Sequence, residues 1–132
     1  MRAIVAWVAL GSAAGGVCRF LIGMAIQQRI DTTFPLGTLV INVTGSLLVG
    51  FLVRIAAGAP GLSVENRALL ITGFCGGYTT FSAYSLETAT LIEDAAYGRA
   101  ALYIGGSSGL ALLGTFAGFA LASVVLAAVR GE

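Results

Sequence analysis

Gly73–Glu87 reads GFCGGYTTFSAYSLE and interrupts a hydrophobic stretch that would otherwise form a plain membrane-spanning helix. Glycines, threonines, serines and aromatic residues alternate here, and no charge occurs before Glu87. A broken helix frees backbone amides and carbonyls that lipid cannot satisfy. A broken helix therefore persists only where protein or water in a polar cavity hydrogen-bonds these groups, or where an ion is bound by them. The stretch thus predicts an interrupted membrane helix and is the first candidate for a functional site.

The composition around this stretch indicates an integral membrane protein that lies in a lipid bilayer. The chain has 132 residues, of which 58% are hydrophobic and 10% are charged, whereas soluble domains carry about 25% charged residues. All seven basic residues are arginine, and histidine is absent. Imidazole proton relays and histidine-ligated metal sites are therefore excluded. Without a basic tract we expect no nucleic-acid binding, and without a nucleophile–base pair or a phosphate loop we expect no enzyme.

Four hydrophobic segments are each long enough to cross the hydrocarbon layer, which needs about 20 residues. Short polar connections separate them, so residues 1–132 are predicted to form one membrane domain with no soluble part. The fold class predicted is an all-α membrane protein with four transmembrane helices, the third interrupted. The first apolar run is too long for a secretory leader and lacks a convincing cleavage site. The predicted spans are approximately 3–26, 36–55, 67–92 and 100–129.

The charge pattern does not fix one orientation in the membrane. With four spans, both ends of the chain lie on the same side, where four arginines also lie, against Arg29 and Arg99 on the other side. Such a small bias leaves two alternatives open under the positive-inside rule. Either the chain inserts one way, or copies insert both ways and pair antiparallel. The four arginines are Arg2, Arg54, Arg67 and Arg130.

Glycines and cysteines in the apolar segments are predicted to serve packing. Small residues spaced four apart let helix backbones approach closely in lipid, and three such glycine pairs predict a tight bundle with little interior. A pore would then need a second subunit. Cys18 and Cys75 lie in apolar surroundings and are predicted to be buried rather than paired or reactive. The glycine pairs are Gly11/Gly15, Gly105/Gly109 and Gly114/Gly118.

Two spans carry polar stripes at helical spacing. Thr38, Asn42 and Ser46 recur every four residues on the second span, so they share one helix face. The amide of Asn42 can either join two helices or direct a neutral donor at an anion. On the fourth span Tyr103 and Ser107 form a hydroxyl stripe, with Ser108 adjacent and Thr115 further along. These hydroxyls either act as successive donors to a moving ion or donate hydrogen bonds to carbonyls of their own helix.

The interruption and Arg19 supply the remaining candidates. The glycines after Cys75 are predicted to let the chain leave the helix, where exposed carbonyls would suit a hard monovalent cation. Phe81 and Tyr84 are three apart, and their ring edges, unlike the faces, can meet an anion; ordinary packing is the alternative. Arg19 lies inside the first span with no intramembrane acid nearby. Its partner is then either an anionic substrate or a backbone carbonyl.

Three blocks of this sequence resemble the Fluc (CrcB) fluoride channel family. They are GSAAGGVCRF at Gly11–Phe20, GTLVINVTGSLLVG at Gly37–Gly50 and GFCGGYTTFSAYSLE at Gly73–Glu87. Together the blocks extend over most of the chain, and the GGxTTFS core of the third is distinctive. The resemblance implies a small dual-topology, antiparallel homodimer in the bacterial inner membrane, with two fluoride pores and one central structural Na⁺.

The resemblance also implies roles for individual residues. Asn42 matches the pore asparagine, and Phe81 and Tyr84 match two aromatics that line the fluoride path. The backbone carbonyls of Gly76 and Thr79 match those that hold Na⁺. The polar track on the fourth helix would include Tyr103 and Ser107, with Arg19 in a vestibule and Glu87 as an acid at the pore mouth. Thr38 and Ser46 are pore candidates from their spacing on the second span.

One position departs from the family pattern. The common FSTFS reads Phe81–Ser82–Ala83–Tyr84–Ser85 here. Tyr84 therefore keeps an aromatic ring edge but adds a hydroxyl that needs a partner. We expect this hydroxyl to be able to donate a hydrogen bond to the anion.

The function expected is passive, fluoride-selective export that limits fluoride toxicity. The alternative is a small dual-topology multidrug/proton exchanger, which needs a titratable carboxylate deep in the bundle. Spans one, two and four contain no such acid. A third possibility, a non-transporting accessory subunit, would leave the interrupted span unexplained.

Overall fold

The computed structural model describes residues 1–30, 33–58 and 62–131, and these parts of the chain form helices with no strand. Portions of the predicted connections 27–35 and 56–66 lie outside the described residues. Four crossings with an interrupted third are found, so the all-α fold is confirmed. The elements are α1 (Arg2–Arg29), α2 (Leu36–Gly58), α3 (Val64–Arg67), a π-helix (Ala68–Cys75), α4 (Gly76–Tyr78), α5 (Phe81–Glu93) and α6 (Tyr97–Arg130).

Three helices are long and apolar enough to cross a membrane without interruption, namely α1, α2 and α6. The third crossing is assembled from the π-helix, α4 and α5, and the short, exposed α3 leads into it. Ser63 begins α3, and its Oγ accepts a hydrogen bond from the backbone N–H of Asn66 at 3.2 Å. This cap satisfies one of the amides that a helix start leaves free. The backbone amide of Glu65 and the Ser63 hydroxyl also hold the pKa of the exposed Glu65 carboxyl, which lies before the crossing, below its usual range.

The interruption falls later than the glycines predict, at Thr79 and Thr80. Both threonines have extended backbones, with ψ of 158° and 118°, whereas Gly76 and Gly77 remain helical. The chain therefore leaves the helix just after these glycines, and Gly77 itself is used for close packing. A Cβ at Gly77 would lie 2.5 Å from the carbonyl oxygen of Ser12.

The four crossings associate as two parallel pairs. In the first, Val8 and Ser12 of α1 approach Gly73 and Gly77 of the third crossing. The partner numbers rise together, so the two segments run in the same direction. The glycines replace side chains at the contact and let the backbones touch.

The second parallel pair joins α2 and α6. A Cβ at Gly114 would lie 2.9 Å from the carbonyl oxygen of Val43, and one at Gly118 would overlap that of Leu47. Two of the predicted glycine pairs, Gly11/Gly15 and Gly114/Gly118, are thus packing positions. The pair Gly105/Gly109 instead faces open space, since a Cβ added at either glycine would meet no atom within 4 Å.

A tight turn connects α5 to α6. Ala95 has φ of 54°, the one positive φ of a non-glycine residue among the described parts of the chain. The backbone N–H of Ala96 bonds the carbonyl of Leu91 at 2.9 Å across this turn. The turn brings Leu91 and Tyr103 into one buried cluster at this end of the bundle, with Phe34, Leu39 and Tyr84 packed around it. Cys18 and Cys75 are unpaired, and Cys75 is buried.

Candidate functional site

Asn42 hydrogen-bonds the backbone at the interruption of the third crossing. Its Oδ1 accepts a hydrogen bond from the Thr80 N–H at 2.8 Å, and its Nδ2 donates to the Thr80 carbonyl at 3.1 Å. One side-chain amide thereby satisfies both backbone groups of a buried residue that has left the helix. Asn42 consequently joins two helices, which is one of the two alternatives that the sequence leaves open. The second N–H of its Nδ2 has no partner among the described residues and remains available to a ligand.

Thr80 restarts the helix after the break. Its Oγ1 accepts a hydrogen bond from the Ala83 N–H at 3.1 Å, which makes it the N-cap of α5. Beta-branched threonine also tolerates the extended backbone well. The conformation of the break therefore depends on Thr80 and Asn42 together.

Backbone carbonyls are exposed where α4 ends. The final carbonyls of any helix lack intrahelical partners, and here the chain turns away at Thr79. Gly76 is exposed, and no atom lies within 4 Å of its Cβ direction. Carbonyl oxygens are ligands that a hard cation accepts. Gly76 and Thr79 both line one cavity, and the predicted role of their carbonyls as cation ligands stays a prediction.

This cavity has a volume of about 470 Å³ and brings the interruption together with both polar stripes. Its walls come from α2, the π-helix, the break, α5 and α6. No charged side chain is among the described lining residues, so the cavity offers only neutral donors, carbonyls and rings. The predicted site residues in the wall are Asn42, Ser46, Gly76, Thr79, Phe81, Tyr84 and Ser107.

Ser107 is the most unusual member of the wall. The residue is 6% exposed, and its Oγ has no hydrogen-bond partner among the described residues. Buried hydroxyls are nearly always bonded, so an unbonded one needs an explanation. Thr115, further along α6, shows the contrast because its Oγ1 bonds back to the Ala111 carbonyl at 3.1 Å. Back-bonding thus accounts for Thr115 and leaves Ser107 with a free donor at the cavity.

Glu87, Thr38 and Tyr103 form a second polar cluster next to the cavity. Thr38 Oγ1 donates to Glu87 Oε1 at 2.7 Å, and Tyr103 Oη donates to Glu87 Oε2 at 2.6 Å. The cluster links α2, α5 and α6. Glu87 is half-buried and Tyr103 fully buried, so this carboxylate is held between helices, and its predicted place at a pore mouth stays a prediction.

Aromatic rings connect the two groups of residues. The ring centroids of Phe81 and Tyr84 are 5.4 Å apart, and those of Tyr84 and Tyr103 are 5.3 Å apart. Phe34 meets Tyr103 edge to face at 5.5 Å. Phe81 itself is 79% exposed, so the single chain leaves its ring uncovered. The Tyr84 hydroxyl makes no hydrogen bond to a described residue.

Arg19 is not brought to this site. It lies half-buried on α1, does not line the cavity and has no described hydrogen-bond partner. Its predicted role in a vestibule stays a prediction, as do the roles of the other site residues.

Sequence reasoning did not single out Thr80 as a bonding partner, nor Phe34 as a neighbour of Tyr103. The N-cap pattern of Thr80 three residues before Ala83 was a usable signal for the first. No local pattern marks Phe34, because its contact depends on how α2 and α6 pair.

Comparison with known proteins gives a consistent match. Residues 6–119 match the family model described as "CrcB-like protein, Camphor Resistance (CrcB)". A protein of Rhizobium meliloti (strain 1021) named "Fluoride-specific ion channel FluC" is 48% identical over 114 residues, which is 86% of this chain and 91% of that protein. A protein of the same name from Ruegeria sp. (strain TM1040) is 48% identical over 90% of this chain and 94% of its own length. A third, from Rhodospirillum centenum, is 41% identical over 96% of this chain and 100% of its own length.

Proposed function

The chain belongs to the CrcB family, and on that premise we propose that it forms a passive channel selective for fluoride. It is a multi-pass membrane protein whose relatives carry the name of an ion channel and not of an enzyme. The observation that best supports an anion path is the buried hydroxyl of Ser107, which bonds no described residue and lies at a cavity whose described lining carries no charged side chain. A hydroxyl left without a protein partner can donate to an ion that passes.

Neutral donors can exchange with the water around a small anion without trapping it. Asn42 retains one unused N–H, and Ser46 and Ser107 add hydroxyls along the same cavity. A fixed positive charge in the wall would bind an anion strongly and slow its exit. Neutral donors of this kind therefore favour conduction of the anion over its tight binding.

The aromatic rings supply the remaining wall. Ring edges carry partial positive charge, so Phe81 and Tyr84 can present them to the ion where hydroxyl donors are few. The Tyr84 hydroxyl, which has no partner among the described residues, can add one donor between Phe81 and the Tyr103 cluster.

The direction of transport follows from the membrane potential. An anion in a cell with a negative interior gains about 2.3 kcal/mol per 100 mV when it moves outward. We propose that fluoride export needs no further energy source.

We propose that the carbonyls of Gly76 and Thr79 hold a structural Na⁺ when a second copy of the chain adds its own. The open surroundings of Gly76 and the hard oxygen donors at the end of α4 support this assignment. Bound Na⁺ would balance the partial negative charge of those carbonyls. The chain's own part is to keep Thr79 extended, so that the carbonyls stay free of helix partners.

An antiparallel homodimer of dual topology completes the proposal. Phe81 is 79% exposed, and the glycine pair Gly105/Gly109 on α6 packs against nothing in the described parts of the single chain. A second copy would cover both features. The weak asymmetry of the arginines permits insertion in both orientations.

The exchanger alternative depends on Glu87, the acid that lies between the helices. Its two oxygens already accept hydrogen bonds from Thr38 and Tyr103. Exchange of a proton against a cation would require both bonds to break in each cycle. Uptake of a cationic dye driven by a pH gradient, measured in proteoliposomes, would favour the exchanger over the channel.

The test is fluoride efflux from proteoliposomes recorded with a fluoride electrode, with chloride-loaded vesicles as the control. We expect electrogenic fluoride efflux that depends on a counter-ion pathway, little chloride efflux, and a large loss in Asn42→Ala and Phe81→Ala. Absence of fluoride efflux, with both variants behaving like the parent, would reject the proposal. Replacing Na⁺ by N-methylglucamine in a second series tests the cation, since loss of the dimer is expected on its removal.

A further inference from the structure

Two arginines, Arg54 and Arg130, lie near the ends of α2 and α6, beyond the candidate site along both helices. Arg54 Nε donates to Ser123 Oγ at 3.3 Å, and Arg130 Nη2 donates to the Gly58 carbonyl at 2.7 Å. Both acceptors are neutral. Within the described parts of the chain, neither guanidinium has a carboxylate partner. The two positive charges are therefore uncompensated there.

Both arginines line the same cavity, which has a volume of about 210 Å³ and shares no residue with the larger one. Ala57, Gly58 and Ala127 are small, so a ligand can come close to the backbone there. Leu126 adds an apolar wall. Two like charges that converge on one space repel each other unless an anion lies between them.

The cavity lies at the depth of lipid headgroups. The 34 residues of α6 extend over about 51 Å, which exceeds the hydrocarbon thickness of about 30 Å. Its last turns therefore reach the polar layer, where α2 also ends at Gly58. Arg54 lies one helical turn before Gly58, so the two guanidinium groups approach the cavity from different levels.

The donor set fits a phosphate group. A guanidinium has five N–H donors in a planar fork that matches phosphate oxygens. The described bonds use one donor of each arginine and fix its orientation, and the others remain available. Basic pockets between transmembrane helices at the membrane surface bind anionic headgroups.

We propose that this cavity binds a phosphate group, supplied either by an anionic phospholipid or by free phosphate. Residues of the fluoride path take no part in it. Failure of this proposal would leave the proposed channel function unaffected.

The experiment measures lipid binding to the purified full-length protein in neutral detergent by native mass spectrometry. The ligands are phosphatidylglycerol, phosphatidylcholine and inorganic phosphate. The double variant Arg54→Gln/Arg130→Gln is compared with Arg29→Gln/Arg99→Gln, which removes the same charge from the opposite end. A third variant, Arg54→Lys/Arg130→Lys, keeps both positive charges and removes the planar guanidinium groups that can bind two phosphate oxygens at once.

We expect the parent protein to prefer phosphatidylglycerol over phosphatidylcholine. Removal of both cavity arginines should weaken phosphatidylglycerol binding about 30-fold, and removal of Arg130 alone about fivefold. The opposite-end variant should bind like the parent, and the lysine variant should lie between. Retained fluoride efflux by the double variant would show that it is folded; if it does not fold, the single Arg130→Gln change serves instead.

The source of the phosphate is decided by competition. If millimolar inorganic phosphate displaces phosphatidylglycerol from the parent, the cavity accepts free phosphate; if it does not, the ligand is the lipid. Equal binding of phosphatidylglycerol and phosphatidylcholine, or undiminished phosphatidylglycerol binding by the double variant, would overturn the proposal.

Discussion

Ser107 shows how one hydroxyl can reveal a binding surface. A buried hydroxyl without a partner destabilises the folded protein, because water satisfied it in the unfolded chain. Two other hydroxyls of α6 do have partners, since those of Thr115 and Ser123 donate to carbonyls of their own helix. The unsatisfied donor is therefore best explained by a ligand.

We predict that Ser107→Ala lowers fluoride efflux about tenfold or more without lowering thermal stability. The change removes one donor to the anion, worth about 1.5–3 kcal/mol, but no bond to another described residue. Efflux and melting temperature are measured on the same preparation. The matched control is Thr115→Val, whose hydroxyl is engaged by its own helix and whose efflux should stay at the parent level. A large fall in melting temperature for Ser107→Ala would contradict the interpretation.

Tyr84 allows a second prediction at this scale. Tyr84→Phe keeps the ring contacts with Phe81 and Tyr103 and removes a hydroxyl that bonds no described residue. We expect the melting temperature to stay within about 2 °C of the parent value, because a substitution that removes no bond changes the free energy of unfolding by no more than about 0.5 kcal/mol. Fluoride efflux should fall severalfold. Unchanged efflux would mean that only the ring edge contributes. Tyr78→Phe serves as control because its hydroxyl bonds Thr44 and should affect stability instead.

At the scale of elements, the third crossing depends on a side chain from another helix. Asn42 accepts a hydrogen bond from the Thr80 N–H, which has left the helix, and donates a second one to the Thr80 carbonyl. We predict that Asn42→Ala destabilises the protein by about 2 kcal/mol, because the buried Thr80 N–H loses its partner and the Thr80 carbonyl loses one of its bonds. Thermal unfolding in detergent measures this, with the exposed Asn66→Ala as control. Equal melting temperatures for the two variants would show that the break holds without the amide.

The turn between α5 and α6 offers a stabilising change. Ala95 has φ of 54°, a conformation that costs an L-residue about 1 kcal/mol relative to glycine. Ala95→Gly should therefore raise the free energy of unfolding by about that amount. Ala89→Gly, at an exposed position inside α5, should lower it by a similar amount. A destabilised Ala95→Gly variant would show that the turn is not strained.

The sequence predicts the crossings well but places the break two residues early. The positions of the spans can be predicted because each span is marked by the length of its own apolar run. The break depends on partners that are remote in sequence. Ser12 needs a glycine at Gly77 to pack against, so that glycine stays helical, and Asn42 offers its amide two positions beyond Tyr78. Apart from the N-cap signal of Thr80, no local pattern around Gly73–Glu87 contains this information.

At the scale of the whole molecule, two glycine pairs on one helix have different surroundings. Gly114 and Gly118 pack against α2, whereas Gly105 and Gly109 face open space. We predict that Gly118→Leu prevents folding, because even a Cβ there overlaps the Leu47 carbonyl. Gly105→Leu/Gly109→Leu should leave a folded chain that no longer dimerises.

Size-exclusion chromatography with light scattering distinguishes these outcomes. The Gly118 variant should aggregate, and the Gly105/Gly109 variant should elute as a monomer with the helical content of the parent. A dimer unaffected by the double change would place the interface elsewhere.

Seven of the eleven predicted site residues line one cavity, and Arg19, Thr38, Glu87 and Tyr103 do not. Polar residues at helical spacing in an apolar segment are visible without a structure. Their grouping was not predictable, because it requires knowing that α2 pairs with α6.

The parallel pairing of helices has a consequence for synthesis. Leu47 meets Gly118, and Val8 meets Gly73, so α1 and α2 each pack against a partner that is synthesised much later. At about 5–20 residues per second, the ribosome needs several seconds between the members of each pair. During that interval α2 lies in the bilayer with its small-residue groove open to lipid or to another nascent chain. The last helix to emerge therefore completes the bundle, and chains truncated before α6 should be recognised by membrane quality-control proteases.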